Sequence, residues 1–181
     1  MLLGVSSSLE HKSPEEWAAK HRALGLGTVV FPVDYLAGDD AVMAYKRAAD
    51  AAGLAIAEVG VWRNTLAADL QERAHWIDYA IGQLRMADRI GARCCVNVVG
   101  TPYGPRWDGG YRGNFSTELW SMAVDMIRQI IDAAQPEHTK FSIESMPWMI
   151  PSGPDEYLRL MDDVDRPQFG AHLDGVNMIT S

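Results

Sequence analysis

Three predicted helices close on a glycine just before an apolar run, and this repeat constrains the fold more than any other feature. Gly25 follows Leu24 and precedes Thr28-Val29-Val30-Phe31, Gly53 precedes the run 54–60, and Gly91 precedes the run 93–99. Glycine takes the left-handed backbone that ends a helix without the steric penalty other residues meet. Helix, glycine and strand in repetition make a βα unit rather than a run of hairpins, and they predict a parallel sheet covered by helices.

Helix starts are also marked. Ser13-Pro14-Glu15-Glu16 reads as N-cap, first-turn proline and the glutamate of a capping box. Further helices are predicted over about 40–52, over a stretch that places Leu70, Ala74, Ile77, Ile81 and Leu84 on one face, over 116–134 and over 154–162. Six strands are expected, at 2–6, 28–31, 54–60, 93–99, 140–144 and 168–174. No linker, low-complexity tract or composition shift divides the chain, so residues 1–181 read as a single domain. One segment breaks the short-loop pattern. Residues 100–115, with Arg106, Trp107, Tyr111 and Arg112, are long enough for a lid or binding loop, whose aromatics would stack on a sugar face; a self-packed surface loop is the other reading.

Charge and cysteine usage narrow the function. A net charge of −8 and a pI near 5.0 argue against nucleic acid or an anionic membrane as the main partner. No apolar run approaches a membrane span, and Met1-Leu2-Leu3-Gly4-Val5-Ser6 lacks the basic start of a signal peptide. Cys94 and Cys95 are adjacent on one predicted strand and face opposite ways. They form neither a disulfide framework nor a CxxC metal site, so a reducing cytoplasmic setting is expected. No GxGxxG follows an early strand and no GxxxxGK[ST] occurs, which removes the usual signatures of nucleotide binding.

Two acids stand at the ends of apolar runs: Glu144 in Phe141-Ser142-Ile143-Glu144 and Asp174 in Ala171-His172-Leu173-Asp174. They lie one strand–helix unit apart. Neighbouring parallel strands run about 5 Å apart, so two such acids at one level can share a hard divalent cation such as magnesium or manganese; the spacing alone fits two ordinary loop acids equally well. Alternation aims His172 to the same side as Asp174, either beside the site or hydrogen-bonded inside the sheet. Trp62 and Trp148 follow the third and fifth strands and are candidate walls of a ligand pocket, with packing under loops as the alternative. Arg63 is a candidate for an anionic substrate group. His11, His21, His75 and His138 fall at helix or loop positions and are expected to be solvated.

From Glu58 to Asn177 the sequence resembles the sugar phosphate isomerase/epimerase family with the xylose-isomerase-like TIM barrel. The matching stretches are Glu58-Val59-Gly60-Val61-Trp62-Arg63-Asn64, the segment 87–97, Ile143-Glu144-Ser145-Met146-Pro147-Trp148 and His172-Leu173-Asp174-Gly175-Val176-Asn177; the last two are the specific ones. Gly175 departs from the proline that close relatives often carry. The resemblance implies a parallel (β/α) TIM-barrel type α/β fold, with about six of its eight strand–helix units present. It implies a divalent metal (Mn, Mg, Co or Zn) held by Glu144 and Asp174, and Glu144 as catalytic base. It further implies a sugar contact from Asn177, with helix capping as the other reading; His172, Trp62, Trp107, Trp148 and Arg63 are substrate-binding candidates from their own positions in the chain. The implied reaction is isomerisation or epimerisation of a sugar or sugar phosphate by proton transfer next to a carbonyl, through an enediolate. An inosose dehydratase-like lyase would share these ligands. The endonuclease IV branch needs further histidines, and none stands at Trp62-Arg63-Asn64 or Val99-Gly100-Thr101. A TIM barrel usually takes about 250 residues. The expectation is therefore a C-terminally incomplete barrel that lacks the family's remaining His and Glu ligands, with exposed edge strands that favour homo-oligomers, or else a catalytically inactive remnant.

Overall fold

The computed structural model describes residues 1–5 and 9–178. Five parallel strands form one sheet: β1 (Thr28–Val30), β2 (Ala55–Gly60), β3 (Cys94–Asn97), β4 (Lys140–Glu144) and β5 (Phe169–His172). Their spatial order is their chain order, with every neighbouring pair parallel. Helices α1 (Pro14–Ala23), α2 (Asp39–Ala51), α3 (Leu70–Arg89), α4 (Thr117–Ala134) and α5 (Pro154–Val164) fill the connections, and a short α6 (Gly175–Met178) follows β5. A sheet that adds each new strand beside the last, always through a helix, curls as a barrel sheet does. Among the described residues five strands are formed where six were expected. Residues 1–5 take no strand conformation: the Leu3 carbonyl accepts N–H bonds from Gly27 and Thr28, while Leu2 and Leu3 stay 62% and 64% exposed, so no buried face locks a ladder. Ser6 lies outside the described residues.

The helix ends follow the sequence signals closely. Gly25, Gly53 and Gly91 have φ of 74°, 65° and 70°. Ser13 caps α1 by accepting the Glu16 N–H, but Glu16 reaches back to the Lys12 N–H instead of closing the box on Ser13. On α3 the buried stripe begins only at Ile77 and is joined by Tyr79, Ala80, Met86 and Ala87; Leu70 is 71% exposed and Ala74 is also outside. The expected face is thus right for its second half, where the helix meets the sheet.

Burial separates the two faces of the sheet. Val29, Ile56, Val59, Cys95, Phe141, Ile143 and Phe169 turn outward into a core shared with Leu84, Ile127, Ile130 and Leu160. Each such aliphatic side chain contributes about 1.5–3 kcal/mol on burial. The opposite, inner face carries Glu58, Cys94, Ser142, Glu144 and His172; the register pairs Glu58 with Cys94 and Cys94 with Lys140, and four residues further along β4 it pairs Glu144 with His172. His21 corrects the expectation of a solvated histidine. It is buried, with Nδ1 on the Trp17 carbonyl and its ring edge-on to Trp17, because helical spacing from Trp17 puts it on the packed face of α1. His11 is half-buried between the Leu9 carbonyl and the Tyr45 hydroxyl.

Two polar clamps set the level of β4 and β5. The Asp88 carboxylate at the end of α3 accepts N–H bonds from Glu137, His138 and Thr139, just before β4. The buried Tyr157 hydroxyl of α5 donates to the Ile143 carbonyl and accepts the His172 N–H; its ring stacks on Phe169. Burial pushes the Tyr157 pKa up to about 12, so the hydroxyl keeps its proton at neutral pH. Tyr157→Phe is expected to destabilise the fold by about 1–3 kcal/mol, the cost of leaving buried backbone groups without their partner. Urea unfolding checks this, and a change below about 0.5 kcal/mol would show that the clamp is dispensable.

Candidate metal and sugar site

Glu144 is the last residue of β4 and projects from the inner face, after the buried Phe141 and Ile143 have fixed the strand's orientation. Asp174 lies two residues beyond β5, where the chain turns into α6. Its Oδ1 accepts the N–H of Val176 at 2.8 Å and of Asn177 at 3.3 Å, capping that short helix. Asn177 turns back and donates from Nδ2 to Glu144 Oε1 at 3.1 Å, with Met146 Sδ at 3.4 Å. The capping role therefore belongs to Asp174, while Asn177 holds the Glu144 carboxylate.

The two carboxyl groups lie within hydrogen-bonding reach of one another. Burial first, then the hydrogen bond and charge of Asp174, push the Glu144 pKa up against the pull of Asn177. The Asp174 pKa goes down, chiefly through the Asn177 and Val176 N–H bonds. Like charges brought this close favour either a shared proton or a cation, and a facing pair of hard oxygen donors fits a divalent ion such as magnesium or manganese. Among the described residues, no group of three or more His, Cys, Asp or Glu side chains is arranged to hold a metal. The pair thus fits as part of a coordination sphere rather than as a closed site.

The remaining candidates spread along the same end of the sheet. His172 faces inward beside Glu144; its ring lies close enough to interact electrostatically with Glu58 and Asp174. Trp62 and Arg63 follow β2 and line a cavity of about 410 Å³ together with His11, Asp34, Tyr79 and Gln83. Trp62 takes a left-handed φ of 51°, uncommon for a bulky residue and frequent at functional sites. Its indole lies over Gly60, where any Cβ would collide with it. The Arg63 guanidinium lies 5.1 Å from the Trp76 ring centre and 5.4 Å from that of Tyr79. Its backbone is clamped by the buried Asn97 amide, which accepts the Arg63 N–H and donates to its carbonyl. Asn97 was not foreseen, although a lone amide in the apolar run 93–99 was its signal.

The long loop is self-packed. Buried Asn114 donates to the Gly109 and Trp148 carbonyls and accepts the Thr101 hydroxyl, and Trp148 Nε1 donates to the Asp108 carbonyl. Trp107 is half-buried against the core. Trp148 instead lines a shallow depression with Gly110, Tyr111, Arg112 and Phe115. Among the described residues neither tryptophan hydrogen-bonds to the Glu144–Asp174 pair.

Comparison with known proteins agrees with this architecture. The sequence model of the family described as xylose isomerase-like TIM barrel matches residues 18–181. No curated protein matches the sequence. Among solved structures, a xylose isomerase-like TIM barrel protein from Mycobacterium smegmatis in complex with magnesium is 20% identical with a TM-score of 0.65, covering 90% of this chain and 56% of its own. D-Psicose 3-epimerase with D-tagatose, from Clostridium cellulolyticum H10, is 13% identical with a TM-score of 0.72, covering 94% and 62%. The 3-keto-D-glucoside 4-epimerase of E. coli is 12% identical with a TM-score of 0.72, covering 94% and 67%. At these identities the likeness is one of fold, and the chain spans about three-fifths of the length of these structures.

The pair's repulsion makes a stability prediction. A carboxyl whose folded pKa is raised adds stability below its unfolded pKa and loses it as pH rises through the folded value. Metal-free Glu144→Gln, which keeps an oxygen acceptor for Asn177, is expected to melt higher than the parent at neutral pH and to converge with it in acid. Calorimetric melts across that range check it, and a Glu144→Gln melt below the parent's at neutral pH would contradict the arrangement.

Proposed function

The chain belongs to the xylose isomerase-like TIM barrel family, and from that premise we propose that it serves a sugar isomerase or epimerase acting beside a carbonyl. The observation that carries this reading is the Glu144–Asp174 pair at the carboxyl end of adjacent strands, with Asn177 holding Glu144. Active sites of TIM barrels gather at that end of the sheet. Sugar epimerases among the structural neighbours support the substrate class.

In this proposal Glu144 takes the proton from the carbon next to the sugar carbonyl, and the same carboxyl or a second acid returns it. Asp174, fixed by its two backbone N–H bonds, holds charge and position but moves no proton. Glu144 and Asp174 are the residues that would hold a divalent ion, which when bound supplies Lewis-acid stabilisation of the negative charge developing on the sugar oxygens. Trp62, Arg63 and His172 are the proposed sugar contacts, with Trp107 and Trp148 further out along the loop. The setting we propose is cytoplasmic, where Cys94 and Cys95 remain the free thiols that the structure contains. Among the described residues Leu173 and Val176 are exposed just after β5, and we propose them as the contact for a second copy.

The test is solvent exchange. The protein is incubated in D₂O with Mn²⁺ and a ketohexose panel of D-fructose, D-psicose and D-tagatose, and deuterium entering next to the carbonyl is followed by NMR. Incorporation above the protein-free rate is the expected result, and its absence for every sugar would contradict the proposal. Glu144→Gln is expected to lower that rate about a hundredfold to ten-thousandfold, the usual loss with a positioned base. Asp174→Asn is expected instead to recover part of its rate in excess Mn²⁺. Equal rescue of both variants by metal would make Glu144 a ligand only.

A further inference from the structure

An acid that the proposed chemistry does not use stands on β2, and the strand departs from regular geometry to place it. The register with β1 runs Thr28↔Ala55 and Val29↔Ile56, then slips to Val30↔Glu58, so Ala57 has no opposite number. Ile56 is 4% exposed and faces the helices. Strict alternation from Ile56 would send Glu58 into that same apolar layer. The extra residue reverses the phase: Val59, 1% exposed, enters the core, and Glu58 comes onto the inner face level with Cys94 of β3. Bulges bend a strand and re-aim a side chain, and they concentrate beside active sites.

On that face the Glu58 carboxylate has no hydrogen-bonding partner among the described residues; its interactions there are burial and the charges of His172 and Glu144. Burial raises its pKa, His172 draws it down and Glu144 pushes it up. Its oxygens still reach solvent, since Ser145 Oγ is the enclosed side-chain polar atom left without a partner among the described residues; the partial burial nonetheless disfavours the charged form. Two residues further along the same face, Gly60 lines the cavity beneath Trp62. Glu58 therefore shares the inner face of β2 with Gly60 of that cavity and lies within electrostatic reach of Glu144 and His172, with no protein donor on its oxygens among the described residues.

We propose that Glu58 is a substrate-contacting residue of this mouth, accepting hydrogen bonds from hydroxyl groups of the sugar chain that runs from Glu144 toward the Trp62 cavity. The inference rests on the sugar isomerase reading and sharpens it. An ionised carboxylate only accepts hydrogen bonds, so the substrate presents neutral hydroxyls at this position, and a phosphate or carboxylate there is repelled.

The test combines stability with binding, using Glu58→Gln and Glu58→Ala in the same chain. An unpartnered carboxylate kept for a ligand predicts that Glu58→Gln melts higher than the parent by about 2–4 °C. In calorimetric titration with the ketohexose panel at fixed Mn²⁺, Glu58→Ala is expected to weaken sugar binding about tenfold or more. Glu58→Gln, which keeps one acceptor, is expected to recover part of it, and Mn²⁺ affinity measured without sugar is expected to stay within about twofold of the parent. A lower melting temperature for both variants would assign Glu58 a structural role and overturn the proposal. Unchanged sugar binding, or Mn²⁺ affinity lost in step with it, would overturn it too. Should the parent bind no ketohexose, the isomerase reading and this inference fall together. Parent binding that is indifferent to Glu58 removes this inference alone.

Discussion

Two carboxyl groups of like charge are held against one another at the ends of β4 and β5, and the rest of the candidate site is arranged around that fact. Ionising both is unfavourable, because each charge disfavours the charged form of the other. The fold meets this cost with separate devices. Asp174 receives two backbone N–H bonds at the start of α6 and stays ionised readily, while Glu144 has one amide donor, Asn177, and a raised pKa. The asymmetry gives the two acids different capacities. One is a fixed negative charge, and the other is the group that can exchange a proton. Both depend on the level of two strands, which the Tyr157 hydroxyl and the Asp88 carboxylate hold from the helical side.

The inner face extends this arrangement across the sheet. Glu58 on β2, Cys94 on β3, Glu144 on β4 and His172 on β5 occupy successive strands, so the surface facing a ligand is acidic and half-open. At its far side Trp62 and Arg63 are held by tight local geometry: glycine beneath the indole, an amide clamp from Asn97 and two aromatic faces beneath the guanidinium. A polyol with an apolar ring face and several hydroxyls matches such a surface, because aromatic faces and acceptor oxygens are both presented to it.

Much of this was legible in the sequence. Glycine-closed helices identify the βα repeat, since the φ values of Gly25, Gly53 and Gly91 leave little choice of residue. The span 140–144 of β4 reads directly, and the one-unit spacing of Glu144 and Asp174 anticipates their proximity. The errors share a physical origin in context that alternation does not encode. Residues 2–6 look like a strand by composition, yet Leu2 and Leu3 bury nothing. His21 looks polar and solvated, yet its helical spacing from Trp17 makes it core. Glu58 went unassigned because a single unpaired residue, Ala57, inverts the phase of β2. The loop 100–115 reads from sequence either as a cover or as a self-packed segment, and its packing comes from one buried amide, Asn114, whose partners lie on three different turns of the chain.

The central claim, that Glu144 and Asp174 form one electrostatic unit, is open to a direct measurement. Side-chain ¹³C-labelled glutamate, with Glu144 assigned by difference from Glu144→Gln, reports the Glu144 carboxyl through a pH titration of the metal-free protein. The expected midpoint lies above the ordinary glutamate value and falls toward that value in Asp174→Asn and in the presence of saturating Mg²⁺. A Glu144 midpoint at the ordinary value, unmoved by Asp174→Asn and by the cation, would show that the two carboxyl groups do not interact and would contradict the account.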